Sequence, residues 1–221
     1  DFPKVVRMIR ERLGANPLPV QIPIGEAEGF TGVVDVLREK AIYWDDDDLG
    51  REPREGEIPA ALAATAAEYR EKVMEAAADV DEALLAKYLE GGKIDTASVS
   101  KALREATLRL QIVPVLCGSA FRNKGVQPLL DAVLDYLPSP LDVPPIEGVR
   151  PGKDEEVRRK ADDNEPFADL AFKLATDKHV GHLTYIRVYS GSAKTGNQVL
   201  NAATGRKERI GRLLQMHANK R

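Results

Sequence analysis

The chain has 221 residues, 43% of them hydrophobic and 30% charged, with a formal net charge of -3. That length suits one domain plus a part, or two small domains, and buries a core without covalent staples. The composition excludes a disordered or fibrous chain, and the overall charge carries no signal for nucleic acid.

The first residues, Asp1-Phe2-Pro3-Lys4, do not open a signal peptide. Val5, Val6, Ile9 and Leu13 recur at helical spacing before Gly14 and Pro17, which predicts a helix ending near Leu13. Leu18 to Ile24 reads as a strand whose prolines suit a sheet edge. Gly25 to Gly29 turns it into a second strand, Thr31 to Val36, and Lys40 to Trp44 continues the sheet. The aspartates at 45 to 48 end that strand because adjacent carboxylates repel and seek water. They lack the spaced Gly and terminal Glu of a calcium loop, so the expectation is a solvated loop or a long hairpin arm through Pro59.

From Ala60 the period becomes helical. Leu62, Ala66, Tyr69, Val73 and Ala77 form one stripe, and Val80, Leu84, Tyr88 and Leu89 repeat it up to Gly91-Gly92. Asp95 is placed to cap a further helix with Val99, Ala102, Leu103, Ala106 and Leu110 on its apolar face. Ile112 to Gly118 is a short apolar run, which suits a strand buried on both faces and cannot cross a bilayer. Cys117 lies in it as a small hydrophobe. A single cysteine excludes an internal disulfide, and no Cys/His grouping has zinc spacing, which points to a reducing compartment and a cytoplasmic setting.

A helix follows with Val126, Leu129, Leu130, Val133, Leu134 and Leu137 in its stripe, completing half of a parallel βαβ unit. Pro138 and Pro140 end it, and the stretch from 141 to 165 reads as a linker. Beyond it the period is two: Phe167, Leu170 and Phe172, then Leu183 to Tyr189, then Val199-Leu200 after a turn at Gly191 to Gly196. Short strands at close intervals predict a β-barrel, here with too few strands to close. The start without Met and the end at Lys220-Arg221 read as those of a fragment.

The sequence contains no Gly-rich loop followed by Lys and Ser/Thr, no G-x-S-x-G and no H-E-x-x-H, so no catalytic or metal residue is assigned. His179, His182 and His217 lack a third ligand or a paired nucleophile, which favours structural or surface roles. Cys117-Gly118-Ser119-Ala120-Phe121 lies at the carboxyl end of the apolar strand, where open α/β sheets bind ligands. There the amides of Ser119 and Ala120 either meet a base edge or merely belong to a turn. Arg206, Lys207, Arg209, Arg212, Lys220 and Arg221 cluster near the end against Glu208 alone. They suit RNA phosphates or a solvated strand face equally.

Ile112 to Val133, continuing through Asp135 to Pro145, closely resembles the end of the GTP-binding domain of bacterial elongation factor G. Ala41 to Asp45, Asn16-Pro17, Arg187 to Gly191, Gly205 to Arg209 and Met216 to Asn219 resemble that family in the same order. The resemblance implies a translational GTPase that moves tRNA and mRNA through the ribosome. Its fold class would be α/β: the end of a P-loop GTPase-type parallel sheet (1–15 and 112–140) with an inserted α+β subdomain (16–111). The linker (141–165) then leads to an incomplete β-barrel (166–221).

By the same resemblance, Ser119, Ala120 and Phe121 form the guanine-recognition loop. The inserted subdomain faces the stalk protein of the large ribosomal subunit. The barrel meets small-subunit rRNA, with Arg206, Lys207, Arg209 and Arg212 as RNA contacts. The cofactor of the parent is GTP or GDP with Mg. The phosphate loop, both switch segments, the catalytic His and the Asn-Lys-x-Asp motif are missing from this sequence, so the chain alone is expected neither to bind GTP tightly nor to hydrolyse it. A recycling-specialised duplicate and a non-enzymatic module binding ribosomal protein and RNA are the alternatives.

Overall fold

Asp1 accepts a hydrogen bond from the Lys4 amide at 3.0 Å and so caps the first helix, α1 (Phe2–Leu13), which Gly14 closes in the left-handed conformation. The computed structural model describes residues 1–46, 49–92, 94–177 and 181–215. It divides into two compact units, Asp1–Leu137 and Pro138–Arg221.

In the first unit the strand expected from Leu18 to Ile24 is two strands, β1 (Pro17–Pro19) and β2 (Gln21–Ile24). Val20 lies between them, donating to the Val115 carbonyl and accepting from Val36, so the chain passes from one sheet to another at that residue. Strands β2, β3 (Gly32–Asp35), β4 (Lys40–Tyr43) and β5 (Arg54–Gly56) form an antiparallel sheet in that order, with β2 at an edge. Alternation decides the faces. Val34 packs into the main core, whereas Val33 and Ile42 join Phe30 and Trp44 in a smaller cluster.

Helices α2 (Ala60–Ala78), α3 (Glu82–Leu89) and α4 (Thr96–Leu108) supply Ala66, Val73, Met74, Ala77, Leu84, Val99, Ala102, Leu103 and Ala106 to the main core. Asp81 caps α3 and Asp95 caps α4, each accepting from backbone amides two or three residues on. Leu89 and Leu110 do not share this burial. Leu89 is the last residue of its helix, and Leu110, beyond the end of α4, has φ 58° and projects into solvent.

Strand β6 (Val113–Val115) pairs in parallel with β1 and with no other strand among the described residues. Burial on both faces is therefore not what the structure gives: Val113 is 41% exposed. Cys117 lies beyond the strand, half-buried against the smaller cluster. A run of apolar residues cannot specify how many layers cover it. The same limit applies to α5 (Val126–Tyr136). Of its predicted stripe Val126 is half-buried, whereas Leu129, Leu130, Val133, Leu134 and Leu137 are exposed, and Ala132 and Tyr136 are the residues the helix buries. Periodicity fixes the helix, whereas packing against α4 selects the covered side.

In the second unit the segment read as a linker contains a hairpin, β7 (Ile146–Val149) with β8 (Glu156–Arg159). Ion pairs Arg158–Glu147 at 2.8 Å and Arg150–Glu155 at 3.3 Å span it. Its charged, proline-flanked sequence hides the pairing because cross-strand charges, more than apolar alternation, accompany it. Strands β9 (Ala168–Asp177) and β10 (Gly181–Ser190) form a second antiparallel pair, and β11 (Gln198–Asn201) and β12 (Arg206–Arg209) a third. No closed barrel forms among the described residues, and Leu170, Phe172 and Leu174 of β9 remain exposed.

Candidate functional site

β6 carries the chain out at its carboxyl end into the loop from Leu116 to Gly125, backed by Phe30, Val33, Ile42 and Trp44 through Cys117. Burial pushes the Cys117 thiol up to about 12, so it stays protonated at neutral pH and is a poor nucleophile. The loop closes on itself. Ser119 N–H donates to the Lys124 carbonyl at 2.8 Å and Lys124 N–H to the Ser119 carbonyl at 3.1 Å.

Between them Ala120–Arg122 forms a 3-10 turn, with Arg122 N–H donating to Ser119 and Asn123 N–H to Ala120, each at 3.0 Å. Gly125 completes the closure at φ 86°, where a Cβ would stand 2.9 Å from the Cys117 carbonyl oxygen. Of the two amides singled out from the sequence, Ser119's is thus taken up inside the loop. The Ala120 amide has no acceptor among the described residues, and the Phe121 side chain is fully exposed beside it.

A second segment holds this loop from behind, and the sequence carries no local mark of it. The Asn123 side-chain amide donates to the Leu49 carbonyl at 3.1 Å, and Gln127 donates to Gly50 at 2.9 Å and Arg51 at 3.2 Å. Trp44 Nε1 donates to Gln127 Oε1 at 3.1 Å. The Lys124 ammonium, on a side chain only 3% exposed, meets the Asp46 carboxylate at 2.9 Å. That contact holds the Asp46 carboxyl below the usual carboxylate range. Gly50 has φ 69°, and a Cβ there would come within 2.8 Å of the Asn123 carbonyl oxygen, so the approach requires glycine. Arg54 pairs with Asp45 at 2.8 Å. The acidic run is therefore not simply a solvated loop, since its first two carboxylates are partnered. Asp47 and Asp48 lie outside the described residues.

The basic candidates lie on the β11–β12 hairpin and just after it. Arg206, Lys207 and Arg209 are exposed on β12, and Arg212 is exposed beyond it. Strand alternation sets Lys207 and Arg209 on one face and Arg206 with Glu208 on the other, so the structure does not bring all four together. Glu208 accepts from Asn201 across the hairpin at 2.8 Å. His182 is exposed on β10; His179, His217, Lys220 and Arg221 lie outside the described residues. Among the described residues no group of three or more His, Cys, Asp or Glu could hold a metal ion. No described helix is long and apolar enough to cross a membrane.

Residues 181–221 match the family model of elongation factor Tu domain 2, a stretch that includes β10, β11 and β12. Over 95% of its length the chain is similar to a crystal structure of a protein from Thermus thermophilus, at 30% sequence identity and a TM-score of 0.69. It spans 28% of that solved chain. The mixed α/β architecture, with one parallel strand pair and several antiparallel sheets, is consistent with a GTPase-like fold. The family match relates the segment 181–221 to the second domain of the translation elongation factors.

Proposed function

We propose that this chain is part of a translational GTPase of the elongation factor G type, whose GTP hydrolysis is coupled to movement of tRNA and mRNA on the ribosome. The observation that carries the reading is the Ala120 amide, without an acceptor among the described residues and displayed at the carboxyl end of a parallel strand on a loop that is otherwise internally bonded. A backbone donor suits the O6 acceptor of guanine and is mismatched to the amino group that adenine presents there. Ala120 makes that contact, with Ser119 bonding the loop to itself and Phe121 flanking the base. The match to elongation factor Tu domain 2 supports the family, and the segments Ala41 to Asp45 and Arg187 to Gly191 favour elongation factor G over other translational GTPases of the same architecture, while the features that separate it from a recycling-specialised duplicate lie outside these residues.

GTP or GDP with Mg fits this chain at the base end only. The sequence has no Gly-rich loop leading to Lys and Ser/Thr, so no residue here is assigned to the phosphates or the ion. The chain alone is accordingly a weak, non-hydrolysing binder. In the same reading α2, α3 and α4 present the surface for the large-subunit stalk protein, and the β11–β12 hairpin meets small-subunit rRNA.

The test is an amide chemical-shift titration of the chain with GDP and, separately, ADP. GDP is expected to move the Ala120 and Phe121 amides with a Kd of about 1 mM or weaker, near -4 kcal/mol, as befits a base contact without phosphate contacts. ADP is expected to leave them in place. An equal response to ADP, or none to GDP, contradicts the reading.

A further inference from the structure

Three side chains that follow directly on the Ala120–Arg122 turn, those of Asn123, Lys124 and Gln127, all find their partners on the loop between β4 and β5. The two members of the ion pair are unequal. Lys124 is buried and needs a counter-charge, whereas the Asp46 side chain is 73% exposed and would be solvated without the pair. Trp44, anchored in the smaller apolar cluster, fixes the Gln127 amide in turn. The Ser119–Lys124 bridge then transmits the placement of Lys124 to the residue preceding Ala120. The turn therefore has an external brace as well as its own bonds.

We infer that Asp46 and Lys124 are a positioning pair for the base loop: the β4–β5 loop sets the aim of the Ala120 amide and so governs how well the loop receives a guanine base. This rests on the guanine reading of the loop. It assigns the acidic segment a task that neither its sequence nor the family match specifies, and it makes Asp46 a residue that acts through Lys124 without touching the ligand.

The experiment is amide hydrogen exchange on the whole chain without nucleotide, followed by the GDP titration, in Asp46→Asn, Lys124→Met and Lys124→Arg. Asp46→Asn removes a charge from an exposed side chain and spares the core. It is expected to speed exchange at the Ser119 and Lys124 amides ~tenfold, the scale of one charged hydrogen bond, while strand β3 keeps its protection. The GDP response of Ala120 is expected to weaken with it, and Lys124→Arg to retain both properties that Lys124→Met loses. Unchanged exchange at Ser119 and Lys124 in Asp46→Asn overturns the inference. Equal loss in β3, or Lys124→Arg behaving like Lys124→Met, overturns it too. If GDP never moves Ala120 in the unaltered chain, the base reading fails by itself, and the exchange data still decide whether the brace exists.

Discussion

Arg104 extends from α4 over the end of α5 and donates to the carbonyls of Leu134, Asp135 and Leu137 at 3.2, 2.9 and 3.0 Å. The last carbonyls of a helix have no partner within it, and a guanidinium satisfies several at once while opposing the helix dipole. Arg104→Ala is expected to cost about 1–2 kcal/mol, the value of hydrogen bonds from a charged donor, read as a lower urea midpoint with an unchanged slope. An unchanged midpoint would mean that water serves those carbonyls as well. Such a role is illegible locally, because Arg104 reads as an ordinary polar position on an amphipathic helix. Gln127 is a similar case: its acceptors at Gly50 and Arg51 lie 77 and 76 positions away along the chain. Ser119 to Phe121, by contrast, stood out because the end of an apolar strand followed by Gly and Ser is a recognisable place for a ligand loop.

Capped helices were legible at the level of the element because their signals are local. Asp95 sits where its side-chain oxygen reaches a free amide, and apolar residues recur every three to four positions before the closing glycines, whereas the Asp81 cap emerges only in the structure. Which flank of a helix is covered is not local, and α5 shows the cost of that: Leu134 in the expected buried stripe is 78% exposed. The β7–β8 hairpin is illegible for a related reason, since prolines and charges at its flanks match a linker as well as an edge ribbon. Strand alternation does allow a sharper statement about the basic end. Lys207 and Arg209 share a face, so removing both is expected to lower the salt-dependence slope of RNA binding by about 2, whereas Arg206→Ala should change it little. Filter binding of a structured RNA between low and moderate salt measures this. Equal losses for Arg206 and for the paired residues would show that the face does not matter.

Across the whole molecule, the sequence pattern separates a helix-rich first part from a strand-rich second one, as do the two compact units. It does not show the β4–β5 loop meeting the base loop, because that contact joins segments on either side of three helices. In the proposed function these residues belong to a GTP-hydrolysing factor of the ribosome and supply the base end of its nucleotide site. The measurement that bears on this most directly is nucleotide hydrolysis by the product of the complete reading frame, with and without ribosomes. GTP hydrolysis is expected to rise when ribosomes are added and ATP hydrolysis is not; indifference to ribosomes, or equal use of ATP, would contradict the proposed function.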